Sequence, residues 1–121
     1  VALASCKKEK TNPILGNWKL IKVFDGYFNG GNFQWNNVPD ESSKTLIFSE
    51  NGEYRQKESY NRAYKQCIGT YSLKPDNTLE VNSNCNLGTE KMKISEISST
   101  LLIIDRQVRE GVIRFKYIPT K

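Results

Sequence analysis

The stretch KTLIFSENGEY, residues 44–54, decides how the rest of the chain reads. A short apolar run ends at Glu50-Asn51-Gly52, and Glu53-Tyr54 begins a second run at once. Asn-Gly tolerates positive φ at both positions, which suits a tight hairpin, so the two runs predict paired antiparallel strands. The same rhythm continues on both sides, while helical periodicity is nearly absent. Upstream lies GNWKLIKVFD, residues 16–25. Downstream the strand-like runs are residues 53–62, QCIGTYSL (66–73), TLEVNS (78–83), TEKMKISEI (89–97), TLLIIDR (100–106) and VIRFKYI (112–118). Lys74-Pro75-Asp76-Asn77 and Arg109-Glu110-Gly111 supply turn chemistry between neighbours. Eight consecutive strands with short links predict an all-β, up-and-down antiparallel meander. Closing such a sheet into a barrel removes its two exposed edges. An eight-stranded barrel has room for side chains or for one small ligand.

Alternation then assigns faces. Trp18, Leu20, Lys22 and Phe24 share one face of the first strand. Tyr54, Gln56, Glu58 and Tyr60 share a face of the third, and Cys67, Gly69, Tyr71 and Leu73 a face of the fourth. The inward set continues through Leu79, Val81, Met92, Ile94, Leu101, Ile103, Ile113, Phe115 and Tyr117, with Arg114 and Lys116 outward. The assignment assumes no β-bulge, because one extra residue reverses every face after it.

The bulk composition narrows the function classes. The chain has 121 residues, the size of one domain, with a formal charge of +5 and only 37% hydrophobic residues. No apolar run approaches the roughly 18 residues of a membrane-spanning helix. Lys and Arg are interspersed with Glu, the pattern of a solvated surface. There is no histidine, which removes the commonest general base and metal ligand. No paired carboxylates or phosphate-loop spacing appear, and the carboxylates of Asp40 and Glu41 make at most an unremarkable calcium site. The chain is therefore expected to be no enzyme and to need no cofactor or metal. An oligonucleotide-binding fold has five strands rather than eight, so no nucleic-acid partner is expected.

The first residues, VALASCKKEK, switch abruptly from apolar to charged. Leu3-Ala4-Ser5-Cys6 resembles the lipobox of bacterial lipoproteins. That resemblance makes residues 1–5 the remnant of a signal peptide, Cys6 the lipidated residue, 6–13 a lipidated cysteine with a polar tether, and 14–121 the domain. It places the protein in a bacterial cell envelope, held to the outer membrane by the lipid on Cys6. Such a compartment permits disulfides, so Cys67 and Cys85 form either a bridge or two reduced buried thiols.

Gly16-Asn17-Trp18 followed by KLIKV resembles the GxW opening of lipocalins. LIFSENGEY, GTYSLKPDNTLEV, and SSTLLIID with RFKYI extend the likeness to the short lipocalin-like domains common in lipoproteins of Bacteroidota, over roughly residues 14–118. The resemblance implies a small calyx closed near Trp18 and a small, partly apolar ligand. Lipocalins also place an Arg across that Trp. Arg114 is the nearest candidate, although alternation turns it outward.

Two places are candidate binding sites. The connection from Gly26 to Ser43 is long and carries Tyr27, Phe28, Phe33 and Trp35. Aromatic rings bury large areas, so these must cover something: a lid over the barrel mouth, a plug in its core, or a contact for another protein. The inward polar residues Lys22, Gln56 and Glu58, beside Tyr54, Tyr60 and Tyr71, form the second place, suited to the head group of an amphipathic ligand. The expected ligand set is Trp18, Lys22, Phe28, Phe33, Trp35, Tyr54, Glu58 and Tyr71. The alternative is a filled barrel that binds a protein or glycan through its long first loop. An internal cavity distinguishes the two.

Overall fold

A computed structural model describes residues 13–60 and 63–120, without the side chain of Tyr60. Cys6 and its flanking tether lie outside the described residues. Nine strands follow in order: β1 (Gly16–Tyr27), β2 (Trp35–Asn37), β3 (Lys44–Phe48), β4 (Glu53–Tyr60), β5 (Ala63–Leu73), β6 (Thr78–Ser83), β7 (Glu90–Ile97), β8 (Leu102–Val108) and β9 (Gly111–Thr120). All pairings are antiparallel. Eight of the strands run in the order β1-β3-β4-β5-β6-β7-β8-β9 and close through β1–β9 into a barrel. These are the eight strands expected from the sequence. The ninth, β2, lies inside the long connection and was not expected.

The position of β2 follows from the length of β1. One edge of β1 pairs with β9 from Asn17 to Tyr27. Its other edge pairs with β3 only from Gly16 to Lys19. The remaining edge would expose unpaired backbone groups. β2 covers it, pairing Lys22, Val23 and Phe24 with Asn37, Asn36 and Trp35.

The deciding hairpin forms as β3–β4. Gly52 has φ +88°, whereas Asn51 is not in the left-handed region. Asn51 instead accepts the Glu53 N–H through its side-chain oxygen at 3.0 Å, and the Gly52 N–H bonds Ser49 O at 3.0 Å. This is a turn followed by one left-handed residue, a common hairpin solution. The β5–β6 turn repeats it with Asn77 at φ 68°.

Two bulges correct the expected faces. The β1–β9 register shifts between Leu20 and Lys22, which inserts Ile21. The β7–β8 register shifts between Ile94 and Glu96, which inserts Ser95. Trp18 and Leu20 therefore point inward as expected, at 3% and 6% exposure. After the bulge Val23 packs against the core, while Lys22 and Phe24 turn outward with their cross-strand partners Lys116 and Arg114. On β8 the buried residues are Leu102 and Ile104, not Leu101 and Ile103.

The closed end holds the apolar core. Trp18 donates its indole N–H to Ile14 O at 2.8 Å, and Phe48 packs against Tyr54 and Tyr71 with ring centroids 5.5 and 5.0 Å apart. Cys67 and Cys85 are bridged, tying β5 to the β6–β7 loop across 18 residues of sequence. Loop closure of this length stabilises by about 3 kcal/mol in the chain-entropy view. Replacing Cys85→Ser is expected to lower the urea-unfolding free energy by about that amount. An unchanged midpoint would show that the bridge contributes no stability.

Candidate functional site

The barrel interior changes character along its axis. Above the apolar end, a ladder of polar side chains climbs the inner face of β4. The Tyr54 hydroxyl donates to Gln56 Oε1 at 2.6 Å, and Gln56 Nε2 donates to Glu58 Oε2 at 2.9 Å. Lys44 is directly opposite Glu58 across β3–β4. Arg106, inward on β8, is ion-paired with Glu90 of β7. Lys44 Nζ and the Arg106 guanidinium lie 5.3 and 6.0 Å from the Phe115 ring centroid. Two cations thus share one ring and are answered by two carboxylates.

This packing leaves little space. Among the described residues, an internal cavity bounded by Lys44, Leu46, Tyr54, Gln56, Leu79, Glu90, Met92, Ile104, Arg106, Phe115 and Tyr117 measures about 20 Å³. That accommodates about one water molecule, whereas sites for drug-sized ligands measure roughly 300–1,000 Å³. Burial pushes the Lys44 ammonium below its ordinary range, with Arg106 adding to the effect and Glu58 opposing it. Burial raises the Tyr54 and Tyr117 phenols well above theirs, and for Tyr54 the nearby Glu58 carboxylate acts in the same direction.

The long connection is not a lid. β2 and the residues before it fold along the outer wall. Trp35 and Phe24 are cross-strand partners with ring centroids 5.5 Å apart. Phe33 meets the edge of Phe24 at 6.2 Å. Arg114 lies over Phe24 at 5.7 Å and Lys116 over Trp35 at 4.4 Å. At exposed sites such cation–π contacts contribute roughly 0.5–1 kcal/mol each. Phe33 remains 51% exposed and Phe28 70%.

The expected ligand residues therefore separate into two groups. Trp18, Tyr54, Glu58 and Tyr71 are on the inner face, Trp18 and Tyr71 at its closed end, with the Tyr71 hydroxyl bonded to Ser49 O at 2.9 Å. Lys22, Phe33 and Trp35 are outside, displaced by the bulge at Ile21, and Phe28 is at the rim, its N–H bonded to Glu110 O at 2.7 Å. Arg114 is outward, as alternation indicated, and does not cross Trp18. Three interior residues were missed: Lys44, Glu90 and Arg106. Lys44 was legible, since it shares parity with Leu46 and Phe48. Arg106 was hidden by Leu101-Leu102-Ile103-Ile104, four apolar residues whose run shows no parity.

With this geometry in hand, the comparisons with known proteins are informative about the fold. The chain is similar to a lipocalin-like protein from Bacteroides uniformis, with a TM-score of 0.66, 14% identity, and coverage of 90% of this chain and 100% of that one. It is also similar to bovine odorant binding protein, solved in complex with a selenium-containing odorant, with a TM-score of 0.52, 19% identity, and coverage of 98% and 78%. No family model matches the chain, and no curated protein does. The architecture is a closed, eight-stranded lipocalin-like barrel, as the GxW series implied.

The buried phenols set a pH dependence. The ordinary tyrosine value is 10.0; Tyr54 and Tyr117 lie above it in the fold. Their protonated forms suit the folded state, so stability is retained below that value and falls as pH rises past it. Lys44 has the opposite sign, but its gain ends at its ordinary value of 10.5. Alkaline titration of tyrosinate absorbance is expected to leave these two of the six tyrosines silent until the protein unfolds. Full ionisation of all six in still-folded protein would refute the burial argument.

Proposed function

We propose that this protein is a non-catalytic, lipid-anchored envelope protein that uses its barrel as a rigid scaffold and binds its partner on the outer aromatic face of β1 and β2. One observation carries the reading: the internal cavity is about 20 Å³, while the rings of the first connection lie outside on the wall. A small ligand inside would need Lys44, Met92 and Arg106 to leave the bore. The converging interior charges are engaged with one another, which supports a non-catalytic role.

The binding face and the anchor are tested separately. A photo-crosslinking side chain at Phe33 is expected to capture a partner in intact cells. The same group at Ser72, exposed on β5 three strands round the barrel, is expected to capture none. Native mass spectrometry of the domain mixed with a lipid extract is expected to show the bare mass. A stoichiometric lipid adduct, or equal crosslinking at both positions, would overturn the outer-face reading. Lipidation at Cys6 predicts that an alkyne fatty-acid label enters the protein and is lost with Cys6→Ala, which releases the protein from membranes. Label retained by that variant would overturn the anchor.

A further inference from the structure

We infer that the occupant of this outer face is a polyanionic glycan, an inference that rests on the outer-face reading above. The register aligns one continuous rung of outward side chains across six strands: Trp35, Phe24, Arg114, Asp105, Lys93 and Thr78. Strands lie about 4.8 Å apart, so the rung spans about 24 Å, a length for an oligomer rather than a single small molecule. Beside it runs a second rung, Asn37, Lys22, Lys116, Ile103 and Glu96. Along the first rung the wall is concave. Lys91, Lys93, Asp105, Gln107 and Arg114 border a surface groove of about 320 Å³.

Three features of this face define the chemistry. First, the two rungs carry four cations, Lys22, Lys93, Arg114 and Lys116, against two carboxylates, Asp105 and Glu96; Asp105 pairs with Arg114 at 3.5 Å, and Lys93 is held by Asp76 of the β5–β6 turn. That imbalance complements negative charge. Second, the half-exposed Phe33 ring offers flat apolar surface, next to Phe24 and Trp35, whose faces carry Arg114 and Lys116. Pyranose rings present flat C–H faces of matching size. Third, YFNGGNFQWNN, residues 27–37, carries five amide side chains and no carboxylate. An amide both donates and accepts, as a sugar hydroxyl does. Asn32 and Asn36 bond one another, leaving Asn29, Gln34 and Asn37 in the same segment as the Phe33 ring; an open ring for a C–H face together with amides for hydroxyls favours an acidic sugar polymer over a phosphodiester backbone or an acidic peptide.

The experiment is affinity electrophoresis of the whole domain through gels containing polygalacturonate, dextran, polyglutamate or oligo-dT. Retardation by polygalacturonate is expected, weakening with salt. Trp35→Ala is expected to weaken it about tenfold, as for an aromatic at the centre of a contact. Because Trp35 also packs on Phe24, Phe33→Ser and Lys116→Gln serve as second variants, each expected to weaken retention with an unchanged circular-dichroism spectrum. Equal retardation by polyglutamate, unaffected by loss of the rings, would reduce the face to a charge effect and overturn the inference. Equal retardation by dextran, or stronger retardation by oligo-dT, would overturn it in favour of a neutral glycan or a nucleic acid. No retardation in any gel overturns the glycan; if Phe33 still captures a partner in cells, the outer-face reading survives, and if it does not, both fall.

Discussion

Strand β1 has two edges and a single extra residue, and most of the molecule follows from how those are accommodated. The β9 edge is paired along nearly its whole length and closes the barrel. The opposite edge is too long for β3 to cover, so part of the first connection becomes β2 and completes it. Ile21, bulged between the two halves of β1, reverses the faces. Trp18 and Leu20 stay in the core, and Phe24 appears on the outside. The bulge is also used as an anchor, since Ile21 O accepts the Val38 N–H at 2.9 Å and draws the connection back onto the wall. Without that inversion Phe24 would be a core ring, and Phe33 and Trp35 would have no outer partner to pack on.

The interior of the barrel is divided between apolar and polar contents. Its closed half is filled by rings and aliphatic side chains. Its open half is filled by long polar ones, and those are satisfied within the bore by the Tyr54-Gln56-Glu58 ladder and the Arg106–Glu90 pair. Burying charge is unfavourable unless it is paired and hydrogen-bonded. Among the described residues, the upper barrel encloses a cavity of about 20 Å³, lined by charges engaged with one another.

The resemblance to lipocalins was readable from GxW and the ordered hairpins because it is a resemblance of local patterns. The structural matches agree at the level of fold, at 14% and 19% identity. Position within the site was less legible. Tyr54, Glu58 and Tyr71 were assigned to the inner face correctly, because β4 and β5 alternate without interruption across eight paired positions. Lys22 and Phe24 were assigned wrongly, as were Leu101 and Ile103, because a bulge or an unbroken apolar run defeats parity. The four aromatics of the first connection were recognised as needing cover, yet their composition does not say which surface they cover.

The amino-acid sequence alone determined the eight barrel strands, the turn positions, the antiparallel order and the eligibility of Cys67 and Cys85 for a bridge. Each of these depends on residues close in the chain or on residue chemistry itself. Tertiary structure decided the closure register, the two bulges, the pairing of Arg106 with Glu90, and the fate of the aromatic connection. Those depend on which strand lies opposite which, and at what offset. A one-residue shift moves a side chain from core to solvent without changing any local preference, so only the assembled barrel could settle it.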